Sequence, residues 1–277
     1  MVADTVQHYS TMAWLSLLLA LVVALPLVAG SPPTPPSTPP SWGFLVAASQ
    51  TWDNYRHQAD VAHAYQVLVS HGVPPSQIVT FMYDDLAQNT ENPYPGQLFN
   101  AATGKKPGDD VYKDLKIDYS LGNVTAANVI SALTCDGALS GPCLNSTSDS
   151  NVFVYWAGHG DDQDGLILPE GGAHGALSSE TLVSALEMLH AHKRYKQLVF
   201  FLEACDGGSM FAKADARLAA INVLAVTAAK PGEPSYPMYC CDFFKPPSCT
   251  VGGQDIGTCL GKTQREAERE RRERERE

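Results

Sequence analysis

Apolar runs of five to eight residues recur along this 277-residue chain, and segments with helical spacing separate them. "WGFLVAAS" (42–49) opens the series, and "IVTFMYDD" (78–85) follows, ending in two carboxylates. "VFVYWAGHGDD" (152–162), "QLVFFLEACDGGSM" (197–210) and "INVLAVTAA" (221–229) complete it. All are rich in β-branched and aromatic residues, and apolar throughout rather than alternating, which predicts parallel strands buried on both faces. Between the first two runs, Ala59, Ala62, Tyr65, Gln66 and Val69 fall near helical spacing, predicting a helix from about Tyr55 to Ser70 with Gly72 as its stop. A second helix is expected around 125–133. A third, "SSETLVSALEMLHAHK" (178–193), begins with a Ser/Glu capping pattern and carries Leu182, Leu186 and Leu189 on one face. Residues 86–123, rich in Asn, Pro, Gly and Asp and without period, predict a long surface loop. Strand and helix alternate, so the expected class is α/β, a mainly parallel sheet with helices on both faces.

Two of these runs end in chemistry. His159 stands between Gly158 and Gly160, and Cys205 precedes Asp206-Gly207-Gly208. Ligands of open α/β sheets bind at the carboxyl ends of parallel strands, so both residues are expected at one site. A cysteine attacks as its thiolate, which a nearby imidazole makes available near neutral pH. The expected reaction is covalent acyl transfer, with Cys205 as nucleophile, His159 as general acid and base, and the amides of Gly160 and Cys205 as oxyanion donors. The blander readings are a buried core thiol and a plain His-Gly turn. The recurrence of one pattern at two strand ends counts against them.

Composition narrows the rest. Hydrophobic content of 44% and charged content of 18% are those of an ordinary globular chain. A net charge of −11 argues against nucleic acid as a partner. Residues 13–30 are apolar and end in small residues, so residues 1–30 are expected to be a signal peptide or, failing cleavage, a signal anchor; only as an anchor would they place the protein on a membrane. Residues 31–41 are a Pro-rich linker, and 262–277 a charged low-complexity tail. The seven cysteines fit the secretory compartment this leader implies. Cys135 and Cys143 flank a turn-rich loop that a disulfide would close, whereas Cys240, Cys241, Cys249 and Cys259 leave their pairing open. No cysteine spacing supplies a zinc ligand set, and the chemistry needs no metal, nucleotide or other cofactor. Sequons at Asn123 and Asn145 lie in turn-rich segments.

Several stretches resemble one family. "NYRHQADVAHAYQVL" (54–68), "IVTFMYDDLAQNTENPYPGQLFN" (78–100), "GHG" (158–160), "EACDGGSM" (203–210), "TAAKPGEPSYPMYC" (227–240) and "TCLG" (258–261) are similar to the legumains, the asparaginyl endopeptidases called vacuolar processing enzymes in plants. The resemblance runs in order from Trp42 to Gly261 and implies a peptidase domain over 42–261. It implies a caspase-like three-layer sandwich with a mainly parallel six-stranded sheet. It also implies hydrolysis of protein or peptide substrates after asparagine, more slowly after aspartate, with peptide ligation in some plant members. Cys205 and His159 match the catalytic pair, and Asn54 the asparagine that orients the histidine. Arg56, His57 and Glu203 match the specificity pocket, and Ser235 a serine in the nearby loop. A vacuolar or lysosome-like compartment is implied, with secretion as the alternative.

Three departures bear on activity. Gly158 stands where many legumains carry aspartate, a form similar to the catalytic subunit of the glycosylphosphatidylinositol transamidase. Lys262 stands where plant relatives have an aspartate of the asparagine pocket, and a cation there would repel Arg56. The rest of the catalytic segment and a C-terminal pro-domain do not follow. The competing expectations are a catalytically impaired binding or scaffold protein and a transamidase-like enzyme.

Overall fold

The computed structural model describes residues 39–103, 107–161, 163, 165–169, 175–240 and 249–262. The leader, nearly all of the Pro-rich linker and the tail beyond Lys262 lie outside them. Five strands form the parallel heart of the sheet: β1 (Ser41–Ala48), β2 (Ile78–Met82), β3 (Asn151–Asp161), β6 (Gln197–Glu203) and β7 (Val223–Thr227), in the order β2-β1-β3-β6-β7. The short strands β4 (Gly165–Ile167) and β5 (Ala176–Leu177) extend it antiparallel from the far end of β3. The expected sheet between helices is present. Its described strands number seven, five parallel and two antiparallel, rather than six.

Strand alternation divides the apolar side chains between two cores. Phe44, Val46, Val154, Trp156, Phe200 and Leu202 face helices α2 (Ala126–Thr134), α3 (Ser179–Ala191) and α4 (Asp215–Ala220). Leu45, Ala47, Met82 and Ala157 face α1 (Tyr55–Ser70). Two of the helix starts have a local cause. Thr125 and Ser178 cap α2 and α3 by accepting from the amides of Asn128 and Thr181. Gly72, at φ 86°, ends α1 in a conformation that costs glycine nothing.

Two expectations fail. The 86–123 stretch is irregular but is no surface loop: Leu86, Leu98, Phe99 and Val111 are buried in the α1-side core. The Tyr55 hydroxyl accepts from the Phe99 amide at 2.7 Å and holds the segment there. An irregular backbone can point apolar groups inward without periodicity, so period alone misses them. Conversely, β7 is apolar yet lies at a sheet edge, with Leu224 55% exposed.

The C-terminal strands complete the α1 side: β8 (Pro237–Met238) pairs antiparallel with β11 (Gly261–Lys262), and β9 (Thr250–Val251) with β10 (Gln254–Asp255). Disulfides join Cys135 to Cys143, as the loop between them suggests, and Cys240 to Cys259.

Candidate active site

Register brings the two reactive residues together. β3 and β6 run parallel as far as the pair Ala157↔Glu203, and His159 and Cys205 each follow by two residues. Partners in a parallel ladder point to one face, here the α1 face on which Ala157 is buried. The tips stay close. A Cβ on Gly160 would lie 2.6 Å from the Cys205 carbonyl oxygen, so this approach requires glycine. Beyond the parallel region, β3 continues and pairs with β4, His159 facing Ile167. Cys205 is a free thiol, half-buried rather than sealed in the sheet.

The connection between β1 and α1 supplies the partner of His159. A 3-10 turn, Trp52–Asn54, leads into α1 and ends at Asn54, whose Oδ1 lies 2.7 Å from His159 Nε2. The Asn54 amide nitrogen donates to the Gln50 carbonyl at 2.9 Å. That bond assigns the carboxamide: its oxygen faces the imidazole and accepts. His159 therefore carries its proton on Nε2, leaving the Nδ1 lone pair to receive another.

His57, expected in the specificity pocket, is fully buried, with no accessible surface. Its ring meets His159 edge to face with centroids 4.9 Å apart, and its Nδ1 is 2.7 Å from the Ser49 hydroxyl. A side chain that no probe of water size can touch does not line an open pocket. It packs beneath the histidine instead.

Arg56 is the reverse case. Its Nη1 donates to the Asp53 carbonyl at 2.8 Å, while its buried Nε makes no hydrogen bond. Burial lowers the guanidinium pKa below the ordinary arginine value, opposed in turn by Asp60, Cys205 and Asp53. Those partners put Arg56 within electrostatic reach of the thiol. Glu203 lies near the Tyr155 hydroxyl, which burial holds far above its ordinary value, with Glu203 and Asp60 adding to the effect. Asp60 accepts from the Asn100 amide at 2.6 Å, and Gly261 of β11 packs against both. Asp60 and Tyr155 escaped the sequence reading. Asp60 had a signal, since it stands four residues after Arg56 on one helix face.

Ser235 contacts Cys205 through its backbone: its N–H donates to Cys205 Sγ at 3.4 Å, and its carbonyl accepts from the thiol at 3.8 Å. The turn after Cys205 is tied to the same loop, because Asp206 donates its amide to Glu233 and accepts from the Gly232 amide. At Gly158 a Cβ would lie 2.9 Å from Ala48 Cβ and 3.2 Å from the Trp156 indole nitrogen. The space an aspartate would need is occupied by Ala48.

With this geometry in view, comparison with known proteins is decisive. The Peptidase C13 family model matches residues 41–274. The chain belongs to the peptidase C13 family. It is 43% identical over 201 residues to a hemoglobinase of Schistosoma japonicum, covering 73% of this chain and 45% of that protein. It is 38% identical over 227 residues to the vacuolar-processing enzyme delta-isozyme of Arabidopsis thaliana, covering 80% and 45%. Human legumain is 39% identical over 203 residues, covering 72% and 44%. The resemblance to legumains is thus borne out, and this C13 chain spans about half the length of the curated relatives it matches. Among its described residues no helix is long and apolar enough to cross a membrane, and none form a cluster fit to hold a metal ion.

Proposed function

We propose that the chain is a cysteine endopeptidase that cleaves protein and peptide substrates after asparagine, and less readily after aspartate, by Cys–His acyl transfer. One observation carries this reading: the 2.7 Å contact between Asn54 Oδ1 and His159 Nε2, beside a free, half-exposed thiol two residues past a parallel strand. His159 Nδ1 takes the Cys205 proton, and the sulfur attacks the scissile carbonyl carbon. The C–N bond then breaks as the imidazolium protonates the leaving amine. Water, deprotonated by His159, releases the acyl group and restores the thiol; an incoming peptide amine in place of water would yield ligation. The amides of Gly160 and Cys205 are assigned to the oxyanion.

The side-chain preference follows from Arg56. Arg56 as a whole is half-buried rather than enclosed, so its guanidinium can meet a substrate that brings an acceptor. An asparagine side chain brings a carbonyl oxygen for Arg56 and two N–H donors for the carboxylates Glu203 and Asp60. Ser235 borders the same cleft. The relative named vacuolar-processing enzyme supports a vacuolar or lysosome-like compartment.

The test is turnover by the purified full chain of paired fluorogenic peptides differing only in Asn, Asp or Gln before the reporter, at acid pH. Cys205→Ala is expected to abolish turnover, and Arg56→Gln to raise KM for the Asn peptide about tenfold or more. A folded parent that turns over none of the three, with Cys205 reduced, would reject the assignment. Lys262→Asp, which restores the carboxylate that the legumain resemblance implies at this position, is expected to raise kcat/KM for the Asn peptide.

A further inference from the structure

Asn54 can orient His159 only as firmly as something holds Asn54. Its amide nitrogen donates to the Gln50 carbonyl, and the Gln50 side chain then reaches across the molecule. Gln50 Nε2 donates to the Pro169 carbonyl at 3.0 Å, 119 residues further along the chain. Pro169 lies two residues beyond β4, and β4 is the strand whose Ile167 pairs with His159 itself. The contacts therefore close into a ring: His159 to Asn54, Asn54 to Gln50, Gln50 to Pro169, and back through the β4–β3 ladder to His159. The imidazole is fixed at once through its ring nitrogen and through its backbone.

The turn that presents the Gln50 carbonyl is strained. Thr51 has φ 73° and ψ 157°, a region that glycine alone visits freely. Such a conformation persists only where its surroundings over-determine it, and here they do. The Thr51 amide donates to Asp85 at 2.7 Å, the Thr51 carbonyl accepts from the Asn54 amide at 3.0 Å, and Gln50 is anchored at Pro169.

We propose that Gln50 is a positioning residue for His159. By bridging the β1–α1 turn and the end of β4, it holds the Asn54 carboxamide oxygen toward Nε2 and so maintains the ring tautomer that leaves Nδ1 for the thiol proton. Its kinetic consequence rests on the Cys205–His159 reading above; its structural consequence does not.

The experiment compares the parent full chain with Gln50→Met, which keeps the length of the side chain but not its donor, and Gln50→Glu, which replaces the donor with an acceptor. Each is also made in an Asn54→Ala background, with kcat normalised to titrated Cys205. Both single variants are expected to lose about tenfold in kcat with KM within about twofold, and to lose little more once Asn54 is gone. Nitrogen NMR of the imidazole is expected to show the Nε2–H form of His159 in the parent and a mixture of tautomers in the variants. Unchanged kcat, losses that add to those of Asn54→Ala, or a His159 signal identical to the parent's would each overturn the proposal. Should one variant fail to fold, the other still decides. If the parent turns over no peptide, the assigned function falls, and the ring-nitrogen signal still tests Gln50.

Discussion

Thr51 places a β-branched side chain where backbone sterics favour glycine, at a cost of about 1–3 kcal/mol. Thr51→Gly removes that strain but makes the unfolded chain more flexible, which offsets part of the gain. A net stabilisation of about 1 kcal/mol in urea unfolding is expected, and a destabilised variant would show that the threonine is held without strain. Gly158 makes the opposite point. Gly158→Asp should destabilise the fold by about 1–3 kcal/mol, because its Cβ would meet Ala48. Ala48→Gly in the same chain should recover most of that loss, and a double-mutant cycle without coupling would refute the contact. Cys205 and His159 were legible in the sequence because glycines bracket reactive residues at the ends of apolar runs. The absence of aspartate at 158 was legible too. Its physical reason was not, because Ala48 meets it only through the β1–β3 register.

Among the elements, three of the four helices were legible, since caps and stops act within a few residues; the short α4, which has no side-chain cap, was not. Ser178 caps α3 through Thr181, as its pattern suggested. What joins the helices to one another was not. Arg217 on α4 donates to Glu187 and Glu180 on α3 through four hydrogen bonds of 2.7–3.0 Å. Those bonds hold both glutamates below the ordinary carboxylate range. A depressed folded value means that the contribution to stability is complete above the unfolded value and is lost as pH falls through the folded one. Arg217→Gln should therefore flatten the decline of the thermal midpoint below the ordinary glutamate range. Parallel curves for parent and variant would show that the clamp contributes nothing, which is common for exposed pairs. The strands were legible as strands, but an apolar run does not reveal whether it lies at the centre or the edge. Leu224 on β7 is the evidence.

At the scale of the molecule, the loop after Ser235 and the C-terminal strands are joined by the Cys240–Cys259 disulfide, 19 residues apart in sequence, and by the β8–β11 pair. Replacing both cysteines with alanine should cost about 3 kcal/mol of stability through the freed loop. It should also raise KM more than it lowers kcat, since that loop borders the candidate cleft and not the Asn54–His159 contact. Peptide kinetics with KM unchanged would separate the disulfide from substrate binding. By itself the sequence determined the five parallel strands and three of the helices, and marked His159 and Cys205 as the candidate pair at two strand ends; it did not show α4 or the short antiparallel strands. What it determined follows from side-chain shape, hydrophobic pattern and short-range hydrogen bonding. Only the tertiary structure decided the 2.7 Å geometry of the Asn54–His159 contact that the resemblance had implied, that His57 is enclosed while Arg56 is half-buried, and that Cys240 pairs with Cys259. Those outcomes depend on strand register and on how turns fold back over strand ends. A one-residue slip of β3 against its neighbours would turn His159 to the other face without altering any local preference.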